Sequence, residues 1–325
     1  MTKILVTAPV AEDVRKAIHG ILDPIGEVMF LSDVAEKERS SELADSEVLI
    51  SWNLGHELKT SEFAAISNVR LLQLLTAGAD HLPFSQIRAT ITIASNPGAY
   101  AEQMSEHAVA MILAIYKNLV DRHTKLVKGI FDQKNVNRRL GGSTCAILGF
   151  GGIGKATARR LRCLDVKILA INTSGKTDEP VEFVGTLKDL EYVFRRADIV
   201  IVSLPLTRFT NGLIGKRELG WMKNDAALLN VARGRIINER ALFEKLKTFP
   251  SFNAAIDAWW EEPFRHGKFK TRYPFLKLPN VLGSPHNSGV VADAMSVAGV
   301  YAAENVKRFL NNEQVAGVVN RSDYP

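Results

Sequence analysis

The stretch Ser143-Thr144-Cys145-Ala146-Ile147-Leu148-Gly149-Phe150-Gly151-Gly152-Ile153-Gly154-Lys155-Ala156-Thr157-Ala158-Arg159-Arg160-Leu161 decides the fold of this chain. Its apolar run leads into the pattern Gly-x-Gly-x-x-Gly, and the residues that follow have helical spacing, which predicts a strand, a tight turn and a helix. Such a turn suits a pyrophosphate, because its glycines let a diphosphate approach the backbone and the helix N-terminus presents free N–H groups. The predicted contacts are Gly149, Gly151, Gly152, Ile153 and Gly154. Glycine-rich turns also occur where a helix merely packs closely on a strand, so other residues must decide the chemistry.

The composition is that of a globular protein long enough for two domains: 325 residues, 46% hydrophobic and 23% charged. The longest clean apolar run, Ala108 to Tyr116, is far shorter than the ~20 residues of a membrane helix, so no membrane span is predicted. The N-terminal residues fit a first strand better than a signal peptide, which predicts a cytoplasmic protein. Cys145 and Cys163 form no CxxC or Cys/His cluster, so we predict two core thiols and no metal site.

The net charge of +6 and the pI near 9.2 suit anionic ligands. However, the basic residues are dispersed and acidic residues are interleaved among them. The densest basic stretch, Arg122 to Arg139, has no aromatic ladder and fits a solvated connecting segment. Nucleic-acid binding is therefore not predicted.

Strand and helix patterns alternate along most of the chain, which indicates parallel sheets covered on both faces. A first α/β region ends at Asn96-Pro97-Gly98, and the glycine stretch belongs to a second region of about six strands with doubly wound topology. The last helical segment is long enough to return to the first region. We therefore predict a first lobe built from residues 1–98 and 287–325, a second lobe inserted at 99–286, and hinge helices near 101–119 and 292–310.

Three later stretches each place a charged or titratable side chain just after an apolar strand, at the sheet edge where open α/β folds bind ligands. They are Asn230-Val231-Ala232-Arg233-Gly234, Asp257-Ala258-Trp259-Trp260-Glu261-Glu262-Pro263 and Ser284-Pro285-His286-Asn287-Ser288-Gly289. A single Arg or His is more often a surface or structural residue. Beside a dinucleotide turn, Arg233, Glu262 and His286 together make a complete set for reducing a 2-keto acid.

The chemistry explains why these residue types are needed. A hydride that moves from a nicotinamide to a carbonyl carbon leaves negative charge on the oxygen, so a proton donor with a pKa near neutrality is required, and an imidazolium serves. A carboxylate behind the imidazole orients the ring and favours its charged form. A guanidinium can grip the substrate carboxylate or carbonyl oxygen. We assign these roles to His286, Glu262 and Arg233 in turn.

Over most of its length the chain resembles the D-isomer-specific 2-hydroxyacid dehydrogenases, the family of D-lactate, glyoxylate/hydroxypyruvate and 3-phosphoglycerate dehydrogenases. The ordered motifs that carry the resemblance are Thr76-Ala77-Gly78-Ala79-Asp80-His81, Asn96-Pro97-Gly98 with Ser105-Glu106-His107, the glycine turn, Ser203-Leu204-Pro205-Leu206-Thr207 with Thr210, the run from Leu229 to Ile237, the Asp257 segment and Pro285-His286. The resemblance implies an α/β fold in which a Rossmann-type doubly wound parallel sheet is inserted in a flavodoxin-like substrate lobe. The inserted lobe would be the dinucleotide-binding domain, and the outer lobe the substrate-binding (catalytic) domain.

The resemblance also implies roles for individual residues. Arg233, Glu262 and His286 would be the catalytic trio, and Asp257 would hold the nicotinamide amide. Further implied cofactor contacts are Ser203, Leu204, Pro205, Thr210, Val231 and Ala232. The implied substrate contacts are the backbone N–H groups of Ala77 and Gly78, with Arg233 and His286. Asn53 is a further candidate, because it follows a predicted strand of the first lobe. The family further suggests a homodimer joined through the nucleotide lobes.

The cofactor prediction depends on Asn172, 18 residues past Gly154, where the family usually has an acidic residue that binds the adenosine ribose. A carboxylate would repel a 2′-phosphate. Its absence, with Thr173, Ser174 and Lys176 nearby, favours NADP over NAD as the cofactor. The alternative is that Asn172 simply hydrogen-bonds the ribose of NAD.

Two further features bear on the substrate. Trp259-Trp260 beside the acid are expected to pack under the site or at the lobe or subunit boundary, with contact to an aryl substrate as the alternative. His286 is followed by Asn287-Ser288-Gly289, as in the formate dehydrogenase branch, but that branch is expected to carry Gln where Glu262 stands, which disfavours formate.

The sequence thus predicts an NAD(P)-dependent oxidoreductase that interconverts a small 2-keto acid and its D-2-hydroxy acid, with a histidine as proton donor and acceptor. The alternative is a nucleotide-sensing binding module of the co-repressor type without significant turnover. Glyoxylate, hydroxypyruvate, phenylpyruvate and 3-phosphohydroxypyruvate all stay open, the last less favoured because no phosphate-binding cluster is apparent.

Overall fold

The computed structural model describes residues 1–324 and divides the chain into two compact units. Unit 1 comprises Met1–Tyr100 together with the chain from Val291 onwards, and unit 2 comprises Ala101–Val290. The sequence-based boundaries were 98/99 and 286/287. The roles assigned to the two parts, and the hinge role of two helices, stay predictions.

The helices and strands follow one another in near-regular alternation. Within 1–100 they are β1 (Thr2–Val6), α1 (Glu12–Leu22), β2 (Gly26–Phe30), α2 (Arg39–Asp45), β3 (Val48–Ser51), α3 (Leu54–Glu57), β4 (Leu71–Leu74) and β5 (Thr92–Ala94). Within 101–290 they are α4 (Ala101–Tyr116), α5 (Leu119–Val127), β6 (Thr144–Leu148), α6 (Gly152–Arg162), β7 (Lys167–Ile171), β8 (Phe183–Gly185), α7 (Leu190–Arg196), β9 (Ile199–Val202), α8 (Lys216–Trp221), β10 (Ala227–Asn230), α9 (Glu239–Thr248), β11 (Asn253–Ile256), α10 (Pro263–His266) and β12 (Val281–Gly283). The C-terminal part contains α11 (Ala294–Leu310).

Unit 1 is a five-stranded parallel sheet with the order β2-β1-β3-β4-β5, the flavodoxin-like order. Strands β3 and β4 are buried along their whole length because helices cover both faces of the sheet. Helix α1 buries Val14, Ile18 and Leu22, which recur every four residues on one face. It packs against α11, where Gly299 leaves room for Val14: a Cβ there would lie 3.0 Å from Val14 Cγ1.

Unit 2 is a seven-stranded parallel sheet with the order β12-β11-β10-β9-β6-β7-β8. The order reverses between β6 and β9, which is the Rossmann arrangement with one further strand. The sequence predicted about six strands, and the strand it missed is β8. This strand has only three residues and pairs on one side, with β7, so it has neither the length nor the continuous apolar run that would mark it in the sequence.

Alternate residues of β6 enter separate cores on the two faces of this sheet: Ala146 and Leu148 one, Cys145 and Ile147 the other. Burial raises the pKa of the Cys145 thiol, as expected for a core cysteine. The same prediction for Cys163 was wrong. This residue is exposed, because it caps the C-terminus of α6 beyond the last buried turn.

The stretch Arg122 to Arg139, expected to be a solvated connecting segment, begins within α5. None of the residues of this helix is buried, although several are large and apolar. Four other helices, α2, α3, α8 and α10, were also not predicted. Within the described chain, no helix combines the length and the apolar character needed to cross a membrane.

Candidate functional site

The glycine turn between β6 and α6 has the close contacts that exclude side chains at two of its positions. Gly149 has φ +94°, and a Cβ there would lie 2.5 Å from the carbonyl oxygen of Ser203 on the neighbouring strand connection. A Cβ at Gly154 would lie 2.4 Å from the carbonyl oxygen of Gly149. These glycines are therefore required by the packing of the turn itself.

Gly151 is different, because a Cβ at this position would meet no heavy atom within 4 Å. The residue is the N-cap of α6, with Gly152, Ile153 and Gly154 forming the first helical turn. The first N–H groups of a helix have no intrahelical partner and carry partial positive charge. The open space in front of this turn, together with those donors, fits a pyrophosphate group.

The loop after β7 is organised by the side chain of Asn172. Its Oδ1 accepts hydrogen bonds from Gly175 N at 2.7 Å and Ser174 Oγ at 3.2 Å, and its Nδ2 donates to Lys176 O at 2.8 Å. Thr173, Ser174 and Lys176 are exposed. The amide of Asn172 is thus used to shape the loop that presents these three side chains.

Nearby acidic residues are neutralised by cations of α6. Asp178 Oδ1 accepts a hydrogen bond from Lys155 Nζ at 2.7 Å, and Glu179 pairs with Arg159 and Arg162. The hydrogen bond from Lys155 lowers the pKa of Asp178, and that from Arg159 lowers the pKa of Glu179. Because these pairs lie mostly at the surface, they add little stability, but they leave this loop without an uncompensated carboxylate.

The segment after β9 is held by its own hydroxyl groups. Ser203 Oγ donates to Gly149 O at 2.9 Å, which joins this segment to the glycine turn. Thr210 Oγ1 donates to Pro205 O at 2.6 Å and accepts from Thr207 N at 2.8 Å. Ser203, Leu204, Pro205 and Thr210 therefore form one compact turn at the same sheet edge as the glycine turn.

After β10, the side chain of Asn230 shapes the chain that carries Arg233. Its Oδ1 accepts from Ala232 N at 3.0 Å and its Nδ2 donates to Arg233 O at 3.0 Å. The Asn230 side chain is almost fully buried, as is Val231. The next residue, Gly234, packs on the Trp259-Trp260 backbone, since a Cβ there would lie 2.3 Å from the carbonyl carbon of Trp259.

Glu262 and His286 form a hydrogen-bonded pair. His286 Nδ1 lies 2.9 Å from both carboxylate oxygens of Glu262, and the Trp259 backbone N–H donates to Glu262 Oε1 at 2.7 Å. Burial raises the pKa of Glu262, but its hydrogen bond to His286, the charges of His286 and Arg233 and the Trp259 N–H outweigh burial, so the pKa lies below its usual range. The carboxylate is therefore ionised at neutral pH and faces the imidazole.

The turn that carries His286 is held by Asp257, which is fully buried. Its carboxylate accepts hydrogen bonds from Ser284 Oγ at 2.5 Å, Asn287 N at 3.1 Å and Ser288 N at 3.3 Å. His107 Nε2, from α4, lies 3.1 Å from Ser284 Oγ. These bonds stabilise the left-handed backbone of His286, whose φ is +51°.

The two tryptophans pack beneath this region, as expected from the sequence. Trp259 Nε1 donates to Ser284 O at 2.8 Å, so the same residue holds both Glu262 and the segment leading to His286. Trp260 Nε1 donates to Ile237 O at 2.7 Å, and its ring stacks on Phe275. Trp259 is thus in direct contact with the site, and Trp260 supports the neighbouring chain.

In unit 1, Asn53, Ala77 and Gly78 lie on the two loops that follow β3 and β4 at the carboxyl edge of the sheet. Thr76 Oγ1 donates to Gly78 O at 2.8 Å. The two loops are joined, because His81 Nε2 lies 2.9 Å from Trp52 O.

The family model for the NAD-binding domain of the D-isomer specific 2-hydroxyacid dehydrogenases matches residues 109–288 of the chain. The chain belongs to this family. The matched range contains the glycine turn, Arg233, Glu262 and His286.

Named relatives have different activities. The chain is 30% identical over 264 residues to a glyoxylate reductase of Thermofilum pendens, a match that covers 79% of this chain and 76% of the relative. It is 29% identical over 329 residues to a D-3-phosphoglycerate dehydrogenase of Methanocaldococcus jannaschii, covering 100% of this chain but only 60% of that relative. A D-isomer specific 2-hydroxyacid dehydrogenase of Xanthobacter autotrophicus Py2, solved with NADPH and MES, has the same fold, with a TM-score of 0.80, 21% identity and 99% coverage of each chain.

In this family member, sequence reasoning missed several polar groups around His286. Asn230, Ser284 and His107 stood inside the quoted motifs but had no assigned role. The Ser288 hydroxyl is buried and has no hydrogen-bond partner within residues 1–324. A buried hydroxyl of this kind needs a partner, and the nicotinamide amide that Asp257 was predicted to hold is one that fits. In the sequence, the only signal for a role of Ser288 was its position two residues after His286.

Proposed function

We propose that this protein is an NAD(P)-dependent oxidoreductase that transfers a hydride between a nicotinamide and a small 2-keto acid/D-2-hydroxy acid pair. The observation that carries the proposal is the hydrogen-bonded pair of Glu262 and His286, with Arg233 close enough to act on the Glu262 carboxylate. Glu262 and His286 lie in the connections that follow β11 and β12, two strands of the sheet that carries the glycine turn. A proton donor, an orienting carboxylate and a guanidinium are the groups that carbonyl reduction requires.

Each of these side chains has a definite task in the reaction. The carboxylate of Glu262 accepts a hydrogen bond from Nδ1 of His286, so Nδ1 carries a proton. Nε2 is therefore the atom that exchanges a proton with the substrate oxygen. Glu262 fixes the ring orientation and compensates the charge of the imidazolium. Arg233 binds the substrate carboxylate, so that the carbonyl carbon is held in a fixed position.

The bound dinucleotide supplies the hydride. Its pyrophosphate would be held by Gly151, Gly152 and Ile153 at the N-terminus of α6, and its nicotinamide amide by Asp257 and Ser288. We further propose that NADP is preferred over NAD. The loop shaped by Asn172 presents Thr173, Ser174 and Lys176, and the carboxylates of Asp178 and Glu179 are neutralised, so a 2′-phosphate meets hydroxyls and a cation.

The substrate side chain is proposed to be uncharged. Residues 51–58 and 75–83, which include the loops carrying Asn53, Ala77 and Gly78, contain no Lys or Arg. A phosphate group would therefore find neither a guanidinium nor an ammonium group on these loops. This favours glyoxylate, hydroxypyruvate or phenylpyruvate as the substrate over 3-phosphohydroxypyruvate. The proposed activity is therefore closer to that named for the glyoxylate reductase relative than to that named for the phosphoglycerate dehydrogenase relative.

The decisive experiment measures loss of absorbance of NADPH, and separately of NADH, against a panel of these four 2-keto acids. We expect turnover of at least one 2-keto acid whose side chain is uncharged, with NADPH used better than NADH. A clear preference for NADH would contradict the cofactor proposal. Tight cofactor binding without turnover of any compound would instead support a nucleotide-sensing binding module of the co-repressor type.

We also propose a homodimer formed through unit 2, because α5 and the residues after it expose a continuous set of large apolar side chains. They are Leu119, Val120, Leu126, Val127, Ile130 and Phe131, each more than half exposed. A monomer rarely exposes so many such side chains in one segment. Sedimentation equilibrium should give a dimer mass, and the variant Leu126→Glu should shift it toward the monomer; a monomeric wild-type protein would contradict the proposal.

A further inference from the structure

The carboxylate of Glu57, at the end of α3, accepts four hydrogen bonds within unit 1. Thr7 Oγ1 and Ser51 Oγ each donate to Glu57 Oε2 at 2.6 Å. Trp52 N and Asn53 N donate to Glu57 Oε1 at 2.9 and 2.6 Å. All four donors belong to residues at the carboxyl ends of β1 and β3 or just beyond them.

The two backbone donors need this carboxylate more than the hydroxyl groups do. Strand β3 ends at Ser51, so the N–H groups of Trp52 and Asn53 lie beyond the hydrogen-bonded ladder. The Thr7 hydroxyl, by contrast, also lies 3.2 Å from Ile50 O, a second acceptor. Glu57 therefore determines the path of the chain as it leaves β3, because an N–H group without its acceptor is costly when the surrounding backbone is buried.

The constraint extends to the next loop. Trp52 N donates to Glu57, and Trp52 O accepts from the ring of His81, whose loop also carries Ala77 and Gly78. Both backbone polar groups of Trp52, its N–H and its C=O, are thus hydrogen-bonded to side chains. One carboxylate and one imidazole hold the two loops of unit 1 that carry the proposed substrate contacts.

We infer that Glu57 is a positioning residue for substrate binding: it fixes the Trp52–Asn53 peptide and, through Trp52 and His81, the loop that carries Gly78. The inference rests on the proposed function, since it takes these loops as the substrate-binding loops. Glu57 itself touches no reacting atom in this scheme. Its effect should therefore appear in the affinity for the 2-keto acid and leave cofactor binding, which belongs to unit 2, unchanged.

The test compares Glu57→Gln with Glu27→Gln. The first variant keeps the side-chain shape but replaces one acceptor oxygen by an NH₂ group that opposes the donors. The second removes the same charge from an exposed position on β2 and serves as the control. For each protein we would measure kcat, the KM for the 2-keto acid, the KM for the cofactor, the thermal midpoint and the hydrogen exchange of a peptide that covers Trp52 and Asn53.

For Glu57→Gln we expect faster exchange in that peptide and a KM for the 2-keto acid raised about tenfold, which corresponds to the low end for losing one hydrogen bond to a charged group. We expect kcat and the cofactor KM within about twofold of wild type. The control should match wild type in all five measurements. An unchanged substrate KM, whether or not the thermal midpoint falls, would overturn the inference and leave Glu57 a structural residue only.

Two outcomes need separate treatment. If the wild-type protein turns over none of the 2-keto acids, the proposed function fails, while the exchange measurement still tests Glu57: unchanged exchange in Glu57→Gln would refute it. If Glu57→Gln does not fold, Glu57→Asp replaces it, since this variant keeps the charge but draws the carboxylate back by one methylene from the N–H groups of Trp52 and Asn53. It should raise exchange and substrate KM in the same direction, and no rise in either would again refute the inference.

Discussion

Glu57 and Glu262 both follow a parallel strand at the carboxyl edge of their own sheet, Glu57 in unit 1 and Glu262 in unit 2. Their partners differ. Glu57 accepts from two hydroxyls and two backbone N–H groups. Glu262 accepts from one backbone N–H and faces the imidazole of His286. The first carboxylate faces only hydroxyl and backbone N–H donors, whereas the second faces an imidazole, a type of side chain that can serve as proton donor or acceptor.

We propose that the same side chain at the same kind of position holds a loop in unit 1 and assists a proton transfer in unit 2. A carboxylate among fixed donors stabilises one backbone conformation. A carboxylate beside an imidazole orients the ring and favours its charged form. Four predictions test this contrast, and they run from the largest expected effect to the smallest.

Removing the imidazole should have the largest effect. The variant His286→Ala should lower kcat by about 10²–10⁴-fold, because positioned general acids contribute this much to a rate. The dissociation constant of the cofactor, measured by fluorescence titration, should change little. Turnover close to wild type would show that His286 is not the proton donor, and the contrast between the two glutamates would lose its basis.

The variant Glu262→Gln should lower kcat by about 10- to 100-fold, because the amide oxygen can still accept from His286 Nδ1 but the negative charge is gone. The pH dependence of kcat should change as well. Glu57→Gln is the matched comparison, and its main effect should be on substrate KM. Equal falls in kcat for the two variants would mean that the two carboxylates do not have separate roles.

Trp259→Phe tests how the pair is held. The variant keeps an aromatic ring but loses the indole N–H that donates to Ser284 O, a bond worth about 1 kcal/mol. We expect kcat/KM to fall about three- to tenfold. Trp260→Phe is the control, since it loses an indole N–H that donates to Ile237 O. A larger fall in kcat/KM for Trp260→Phe than for Trp259→Phe would contradict the proposal that Trp259 holds the Glu262–His286 pair in place.

The smallest effect concerns stability and pH. The pKa of Glu262 is lowered in the folded protein, so its interactions stabilise the fold above the unfolded-state pKa of about 4.3, and this contribution is lost as the pH falls through the folded-state pKa. Chemical denaturation should therefore show Glu262→Gln less stable than wild type by about 1 kcal/mol at pH 7, with the gap closing below pH ~4. A gap that is constant down to low pH would show that the ionised carboxylate is not its cause.

The sequence alone was sufficient to predict those features of the fold that depend on short stretches of the chain. The glycine turn was readable because Gly149 and Gly154 each exclude a side chain through contacts of the turn and the adjoining strand connection. The strand and helix alternation was readable because apolar runs mark buried parallel strands, and the five-stranded and seven-stranded sheets follow from it apart from β8. Family membership followed from ordered motifs along the chain.

Which residues far apart in the sequence contact each other was decided only by the tertiary structure. Glu57 has Thr7 as a partner, and His107 on α4 contacts Ser284, which is 177 residues away in the sequence. Asn172 shapes its own loop, and Cys163 is exposed although it follows a helix with a buried face. Such roles depend on which side chains meet in three dimensions, and residue spacing along a chain does not specify those distances.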